Sequence, residues 1–174
     1  MLSHNPRLCP HVRSLDVTGT DEDILGLGFE WERHTSGLIV TSQESVQWLQ
    51  EILLRLVNCQ SFHLYKHFTP DRPSPANILT HCDMITILPS IIAAIQRPLG
   101  EFGILFKPPN CHGGNLIDMS CVDKGLLQEP KFITACSSLE SLTFRYTIDT
   151  EDTADFAITL IQHATRLQRL TIDA

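Results

Sequence analysis

The sequence of 174 residues lacks the features that mark several classes of protein. It has no run of about 18 apolar residues, the length that a membrane-spanning helix needs, and its first ten residues have no apolar stretch of signal-peptide type. It also has no cluster of lysine and arginine, since 13 basic residues stand against 20 acidic ones and the net charge is −7. Surfaces that bind nucleic acids or anionic membranes are basic. We therefore expect an intracellular protein that binds neither nucleic acid nor membrane.

Cysteine is present, but no C-x-x-C pair occurs among the six. A disulfide framework is not expected in a chain of this size without a secretion signal. Three of the cysteines, Cys9, Cys59 and Cys136, each stand just before a copy of a repeated phrase. We interpret them as small buried residues at equivalent positions of a tight turn.

Motifs for metal binding, cofactor binding or catalysis are also missing. His63 and His67 are four residues apart, but they fall in a predicted strand and loop, and no ordered two-plus-two spacing of a structural zinc site occurs. Cys111 and His112 are adjacent, and adjacent side chains rarely face each other as a nucleophile and its base must. We predict no catalytic residue, no metal ligand and no cofactor. The alternative is a small cysteine-dependent enzyme on an α/β domain, with its nucleophile near Cys111.

What the sequence does contain is a phrase that recurs along the chain, of the form apolar-x-x-apolar-x-apolar. The copies read CPHVRSLDV, LVNCQSFHL, CSSLESLTF and ATRLQRLTI, and a further copy is Leu99-x-x-Phe102-x-Ile104. In each copy the last two apolar residues are two apart and share one face of a strand, while polar residues occupy the other face. The middle apolar residues are five markers that fall 47, 40, 40 and 28 residues apart: Leu15, Phe62, Phe102, Leu142 and Leu170.

Helical patterns precede most of these predicted strands. Apolar residues recur at helical spacing from Val46 to Leu56, behind an expected capping box at Thr41 and Glu44, and a further stripe runs from Phe156 to Ala164. Pro89 interrupts a third stripe and either kinks one helix or begins another. Strands that alternate with helices predict parallel pairing with right-handed crossovers. The predicted fold is α/β, a short irregular leucine-rich-repeat-like solenoid with parallel strands on one side and helices on the other.

We predict one domain over residues 1–174. It consists of a partial repeat, a loop and four helix–strand units, over residues 1–17, 18–41, 42–65, 80–106, 123–146 and 150–173.

The repeated phrases, together with ILPSIIAAIQRPLGEFGILF, resemble the leucine-rich-repeat-like C-terminal regions of fungal F-box proteins. In that family an F-box docks onto the adaptor of a cullin ubiquitin ligase, and the repeats hold the substrate. The resemblance implies a protein-interaction module that recognises a ligase substrate. This chain departs from the family pattern because no F-box precedes the first repeat. We expect either a free-standing non-catalytic interaction module, a piece of a longer protein, or a truncated remnant without an independent role.

The candidate partner surface is the polar face of the predicted strands. Its residues are Ser14, Asp16, Ser61, His63, Ser141, Thr143, Arg145, Tyr146, Gln168, Arg169 and Thr171. The expected partner is a protein. The open edges of the outermost strands also predict self-association.

Overall fold

The computed structural model is an α/β fold with five strands and five α-helices among the residues that it describes, which are 7–19, 31–35, 39–40, 42–66, 81–95, 97–106, 119, 122–146, 148 and 150–173. The strands are β1 (Ser14–Gly19), β2 (Ser61–Lys66), β3 (Glu101–Phe106), β4 (Ser141–Arg145) and β5 (Arg169–Ile172). The helices are α1 (Glu44–Leu54), α2 (His81–Ile95), α3 (Lys124–Leu127), α4 (Pro130–Cys136) and α5 (Glu151–His163).

All five strands are parallel, and they lie side by side in chain order. The register pairs Leu15 with Phe62, Phe62 with Phe102, Phe102 with Leu142, and Leu142 with Leu170. These are the five markers of the repeated phrase, so the alignment predicted from the sequence is confirmed. Each connection between described strands passes through a helix. Because such crossovers are right-handed, strands in chain order place successive helices on the same side of the sheet.

The turn into each strand repeats the same hydrogen bonds. Arg13 lies immediately before β1, and its carbonyl accepts the backbone N–H groups of Gln60 (2.9 Å) and Ser61 (3.3 Å) at the start of β2. The carbonyls of Gln60, Gly100 and Glu140 do the same for the first residues of the next phrase along the sheet. Each strand start is therefore tied to the preceding one by a shared carbonyl, which fixes the register.

Helix α1 buries Val46 and Leu53 in the hydrophobic core. Its N-cap residue is Gln43, with no side-chain cap. The prediction that Thr41 and Glu44 form a capping box at the start of α1 is therefore wrong, because the N-cap is Gln43. Thr41 itself lies outside the described residues. The Gln43 amide instead accepts from the Glu32 N–H (2.8 Å) and donates to the Val40 carbonyl (2.7 Å). Buried backbone groups need hydrogen-bond partners, and the Gln43 side chain supplies them to Glu32 and Val40 and does not cap the helix.

Proline sets the shape of two other helices. Pro89 lies inside α2, which continues through it to Ile95, so a single helix is formed and not a second one from Ser90. The Ser90 hydroxyl donates to the Ile87 carbonyl at 2.6 Å. Pro130 occupies the first turn of α4 and separates it from α3. A proline is tolerated there because a first-turn N–H has no partner within the helix.

Helix α5 begins at a capping box made by two threonines. The Thr150 hydroxyl accepts from the Thr153 N–H (3.2 Å), and the Thr153 hydroxyl accepts from the Thr150 N–H (3.0 Å). Glu151 and Asp152 follow in the first turn, where negative charge is favourable. The stripe predicted from Phe156 to Ala164 is confirmed: Phe156, Ala157, Leu160 and Ala164 are buried, and Ile161 is partly buried against them.

The predicted equivalence of three cysteines is wrong for Cys59. The register places Cys9 and Cys136 at the start of the turn, and both are buried, at 3% and 0% exposure. Cys59 ends its turn, with its N–H donating to the Leu56 carbonyl at 3.0 Å, and it is half-buried. Leu56 therefore occupies the place that the two buried cysteines hold. Burial raises the pKa of Cys136 to about 12.

Within the region predicted as a loop, residues 31–35 and 39–40 pack against the helices. Trp31 and Ile39 are buried, and the Arg33 guanidinium contacts both carboxylate oxygens of Asp83 in α2, at 2.6 and 2.7 Å. Asp83 is 2% exposed. The paired hydrogen bonds to Asp83 raise the pKa of Arg33. This two-pronged contact holds the segment on the first turn of α2.

The described helices include none that is long and apolar enough to cross a membrane.

Candidate functional site

The candidate site is the polar face of the sheet, which we call the open face. Alternate strand residues point to opposite faces. One set is buried under the helices: Phe62, Leu64, Phe102, Ile104, Leu142 and Phe144 are at most 2% exposed. The other set forms the open face, where described side chains from all five strands are half-buried or exposed.

The first row of the open face crosses the sheet at the beginning of the strands. The register aligns Ser14, Ser61, Glu101, Ser141 and Arg169. The Glu101 carboxylate accepts from the Ser61 hydroxyl (3.1 Å) on one side and from the Arg169 guanidinium (2.8 Å) on the other. Arg169 reaches Glu101 across β4, where the small Ser141 side chain leaves room.

The second row contains an acid–histidine pair. His63 Nδ1 lies 3.1 Å from the Asp16 carboxylate, with side-chain exposures of 22% and 56%. A carboxylate only accepts, so Nδ1 is the donor in this contact. The ring lies over Gly103, where an added Cβ would stand 2.7 Å from His63 Cδ2. The missing side chain at Gly103 therefore lets the imidazole lie across β3. Thr143 and Thr171 complete the row.

The third row is more mixed. Tyr65, Leu105 and Arg145 follow one another in register, and Arg145 Nε lies 3.7 Å from a carboxylate oxygen of Asp173, just beyond β5. The Tyr65 ring stands 6.0 Å from the His63 ring at an angle of 57°. This end of the open face therefore combines apolar area with exposed charge.

Tyr146 does not belong to the open face, so that part of the prediction is wrong. The residue is 2% exposed, its ring meets Phe144 edge-on at 5.9 Å, and its hydroxyl donates to the Thr153 carbonyl at 3.4 Å. Burial raises the pKa of this phenol. The signal was available in the sequence, because Tyr146 is an even number of residues from Leu142 and Phe144 and so shares their face.

The other predicted residues are placed as follows. Ser14, Asp16, Arg145, Arg169 and Thr171 are exposed, and Ser61, His63, Ser141 and Thr143 are half-buried on the same face. Gln168 is exposed just before β5, and its N–H donates to the Glu140 carbonyl at 2.9 Å.

Three further residues of the open face were missed by the sequence prediction, namely Glu101, Tyr65 and Leu105. Each occupies the same register position as a residue that was predicted. Aligning all five phrases on their markers would have found Glu101 beside Ser61 and Ser141.

The open face carries charges of both signs in contact with each other. The carboxylates of Glu101 and Asp173 are paired with Arg169 and Arg145, and the carboxylate of Asp16 accepts a hydrogen bond from His63. Between these pairs lie short hydroxyl side chains and Gly103. The arrangement is a polar surface with local charge pairs, and its described side chains form no basic stripe of the kind that tracks a phosphate backbone.

A groove of about 330 Å³ lies on the helix side, between Met119, residues 122–128 and α5. Its apolar floor includes Val122, Leu127 and Phe156, and Lys124 at its rim contacts Asp152 (3.0 Å) and Asp155 (3.4 Å). The hydrogen bond to Asp152 raises the pKa of Lys124 more than any other contact. These charges are already matched within the protein.

The chemistry considered as an alternative has little structural counterpart in the described part of the chain. No three His, Cys, Asp or Glu side chains come together there as metal ligands would. Cys111, Cys121, His67 and His112 lie outside the described residues, as do the side chains of His81 and Cys82. Where thiols are described, Cys136 has a raised pKa and so does Cys59, in both cases because of burial. A raised pKa keeps a thiol protonated and unreactive.

Comparison of the chain with protein-family models, with curated proteins and with solved structures found no match in any of the three.

Proposed function

We propose that the protein is a non-catalytic interaction module inside the cell, and that the open face of its sheet binds a protein partner. The observation that carries this proposal is the contrast within single strands: Phe102 is 1% exposed, whereas its neighbour Glu101 presents a carboxylate that links three strands on the uncovered side. A sheet face that none of the described helices covers, and that carries hydrogen-bonded polar side chains, is a ready surface for another protein.

The proposal includes a leucine-rich-repeat-like solenoid as the architecture. Its support is the chain-order parallel sheet, the alignment of all five phrases and the repeated carbonyl bonds at Arg13, Gln60, Gly100 and Glu140. In such arrays each unit contacts mainly its neighbours and presents one row of residues to a partner. The packing of α1 on α2, α2 on α4 and α4 on α5 follows the same neighbour-to-neighbour order.

The resemblance to F-box proteins extends the proposal to one class of partner, a substrate of a cullin ubiquitin ligase. The open face would then hold the substrate. This part has its own test: the full protein is isolated from cells and probed for the ligase adaptor. Co-isolation of the adaptor would support substrate recognition. Its absence under conditions that retain another partner would remove the ligase role and keep the interaction module.

The binding proposal is tested with one multiple variant on the open face and one on α1. The open-face variant carries Glu101→Ala, Arg145→Ala and Arg169→Ala, and the control carries Gln47→Ala and Glu51→Ala on the exposed side of α1. We expect the wild type and the control to capture the same protein from extracts, and the open-face variant to lose it with an unchanged unfolding midpoint. Equal capture by all three would contradict the proposal.

The cysteine-enzyme alternative is tested with a thiol-reactive probe at neutral pH. An activated thiolate is modified fast and at one position, whereas protonated thiols react slowly. We expect no fast-reacting cysteine. Rapid, selective modification of Cys111 would favour the enzyme.

A further inference from the structure

The two outermost strands of the described sheet each have one strand neighbour, β2 for β1 and β4 for β5. Every residue of β5 is exposed. Leu170 and Ile172 continue the rows that are buried in the inner strands, yet they are 45% and 51% exposed, compared with 0% for Leu142 and Phe144. A strand edge with uncovered apolar residues invites the addition of another strand.

The backbone groups that are available for hydrogen bonds at the β5 and β1 edges can be identified from the bonds that repeat between the other strands. The carbonyl before each strand accepts two N–H groups from the next phrase, and the Gln168 carbonyl is next in that series after Glu140. Within the described ranges, no backbone N–H donates to the Gln168 carbonyl. In β2 the donor at this position is the Ser61 N–H, which points to the preceding strand. The Ser14 N–H of β1 occupies the same register position and so points away from β2.

The chain therefore carries both halves of one strand-to-strand contact at opposite sides of its sheet. We propose that β1 of a second copy adds in parallel to β5, so that the sheet continues from one molecule into the next. This contact uses the strand edges and goes beyond the binding function proposed for the open face. By continuation of the register, Ser14 of the second copy would lie opposite Arg169, and Leu15 opposite Leu170.

Side chains at the two edges match in this register. Leu15 is half-buried in its own molecule and would cover part of Leu170 in the other. Asp16 would lie diagonal to Arg169. Asp16 already accepts from His63 and Arg169 already donates to Glu101, but their side chains are 56% and 70% exposed and can each contact a further partner. Opposite charges at diagonal positions of neighbouring strands attract. An apolar contact beneath the sheet and an ion pair above it favour a second copy over an unrelated strand.

The contact joins two different surfaces. However many molecules are joined, the assembly therefore keeps one free β1 edge at one end and one free β5 edge at the other. Such head-to-tail association is open-ended when the rotation does not close a ring. We therefore expect the average mass of the full chain to rise continuously with concentration.

The test uses one variant for each edge. Ser14→Pro removes the outward N–H of β1 and leaves the bonds to β2, while Leu170→Lys places a charge on the apolar row of β5. Thr171→Lys, on the open face of the same strand, is the matched control. Each is examined by analytical ultracentrifugation over a concentration series, with circular dichroism and the unfolding midpoint as checks of folding.

We expect the wild type and the Thr171→Lys control to associate, and each edge variant to stay monomeric. An equimolar mixture of the two edge variants should form a capped dimer, because each retains the edge that the other lacks. If Leu170→Lys fails to fold, Ile172→Lys replaces it. A wild type that is monomeric throughout would overturn the proposal and leave the edge to a strand of another protein. Association that persists in both variants, or a mixture that stays monomeric, would overturn it as well.

Discussion

The two faces of the sheet share one backbone but differ in what their side chains contact. On the covered face, the rings of Phe62 and Phe102 stack at 6.3 Å and 12°, and both are at most 2% exposed. On the open face, Glu101 and His63 make hydrogen bonds at the protein surface. Burial stabilises roughly in proportion to the apolar area removed from water, whereas exposed ion pairs contribute little. Stability therefore resides mainly on the covered face.

The largest effect is expected from truncating the covered face. Phe102→Ala should lower the free energy of unfolding by about 3–5 kcal/mol, because it leaves a cavity under the central strand. Leu105→Ala, half-buried on the open face of the same strand, is the control and should cost clearly less. Urea unfolding measures both. Equal losses from the two variants would mean that the faces do not differ as described.

A smaller effect, on the dependence of stability on pH, is expected from the buried thiol of Cys136. Its pKa is raised from 9.0 to about 12 by burial, so the unfolded chain releases this proton at a lower pH than the folded one. The stability that the folded protein gains by keeping this thiol protonated is fully present below pH 9 and is lost as the pH rises toward 12. Between pH 8 and 10 this thiol alone should lower the free energy of unfolding by about 1 kcal/mol.

Cys136→Ala should remove that part of the slope between pH 8 and 10, whatever its effect on stability at pH 7. The variant is compared with the wild type by chemical unfolding at each pH. Half-buried Cys59 is the control position, and Cys59→Ala should change the slope less. A slope unchanged by Cys136→Ala would show that this thiol is not protected in the folded protein.

Breaking the ion pair on the open face should cost less than about 1 kcal/mol. In the Arg169–Glu101 pair the side chains are 70% and 43% exposed, and salt screens such pairs. Arg169→Ala is compared with Arg166→Ala, an exposed arginine on the turn before β5. The two variants should unfold at nearly the same urea concentration, and the difference should shrink further in high salt. A loss above about 2 kcal/mol would make this contact a structural one.

The smallest effect on stability is expected at Gly103, where structure should change more than energy. An alanine Cβ would meet His63 Cδ2 at 2.7 Å and Leu105 Cδ1 at 3.0 Å, so the imidazole must move. The cost of that movement is offset because alanine in a strand loses less backbone entropy than glycine, by roughly 0.5–1 kcal/mol. We expect an unchanged unfolding midpoint and a shifted His63 ring resonance in NMR spectra.

Gly100→Ala is the matched control for Gly103→Ala. Its added Cβ would stand 3.5 Å from the Gln60 carbonyl oxygen, which is an ordinary contact distance. The His63 resonance should therefore stay in place. If Gly103→Ala also left the His63 resonance unchanged, the ring would not lie over β3.

The strands and their register could be predicted from the sequence because the alternation of apolar and polar residues is local. The same rule, applied one residue further, would have placed Tyr146 among the buried residues. By contrast, the contact between Glu101 and Arg169 joins residues that are 68 apart in the chain, and it exists only once β4 lies between their strands. The role of Gln43 was hidden for a similar reason, since its partners Glu32 and Val40 meet it only in the folded protein.

The most direct measurement of the central claim is site-specific photocrosslinking in cells. A photoreactive residue replaces Thr143, at the centre of the open face, or Gln47, on the exposed side of α1 as the control. We expect a discrete adduct with one protein from position 143 and no such adduct from position 47. No adduct from position 143, or the same adducts from both positions, would contradict a partner on the open face.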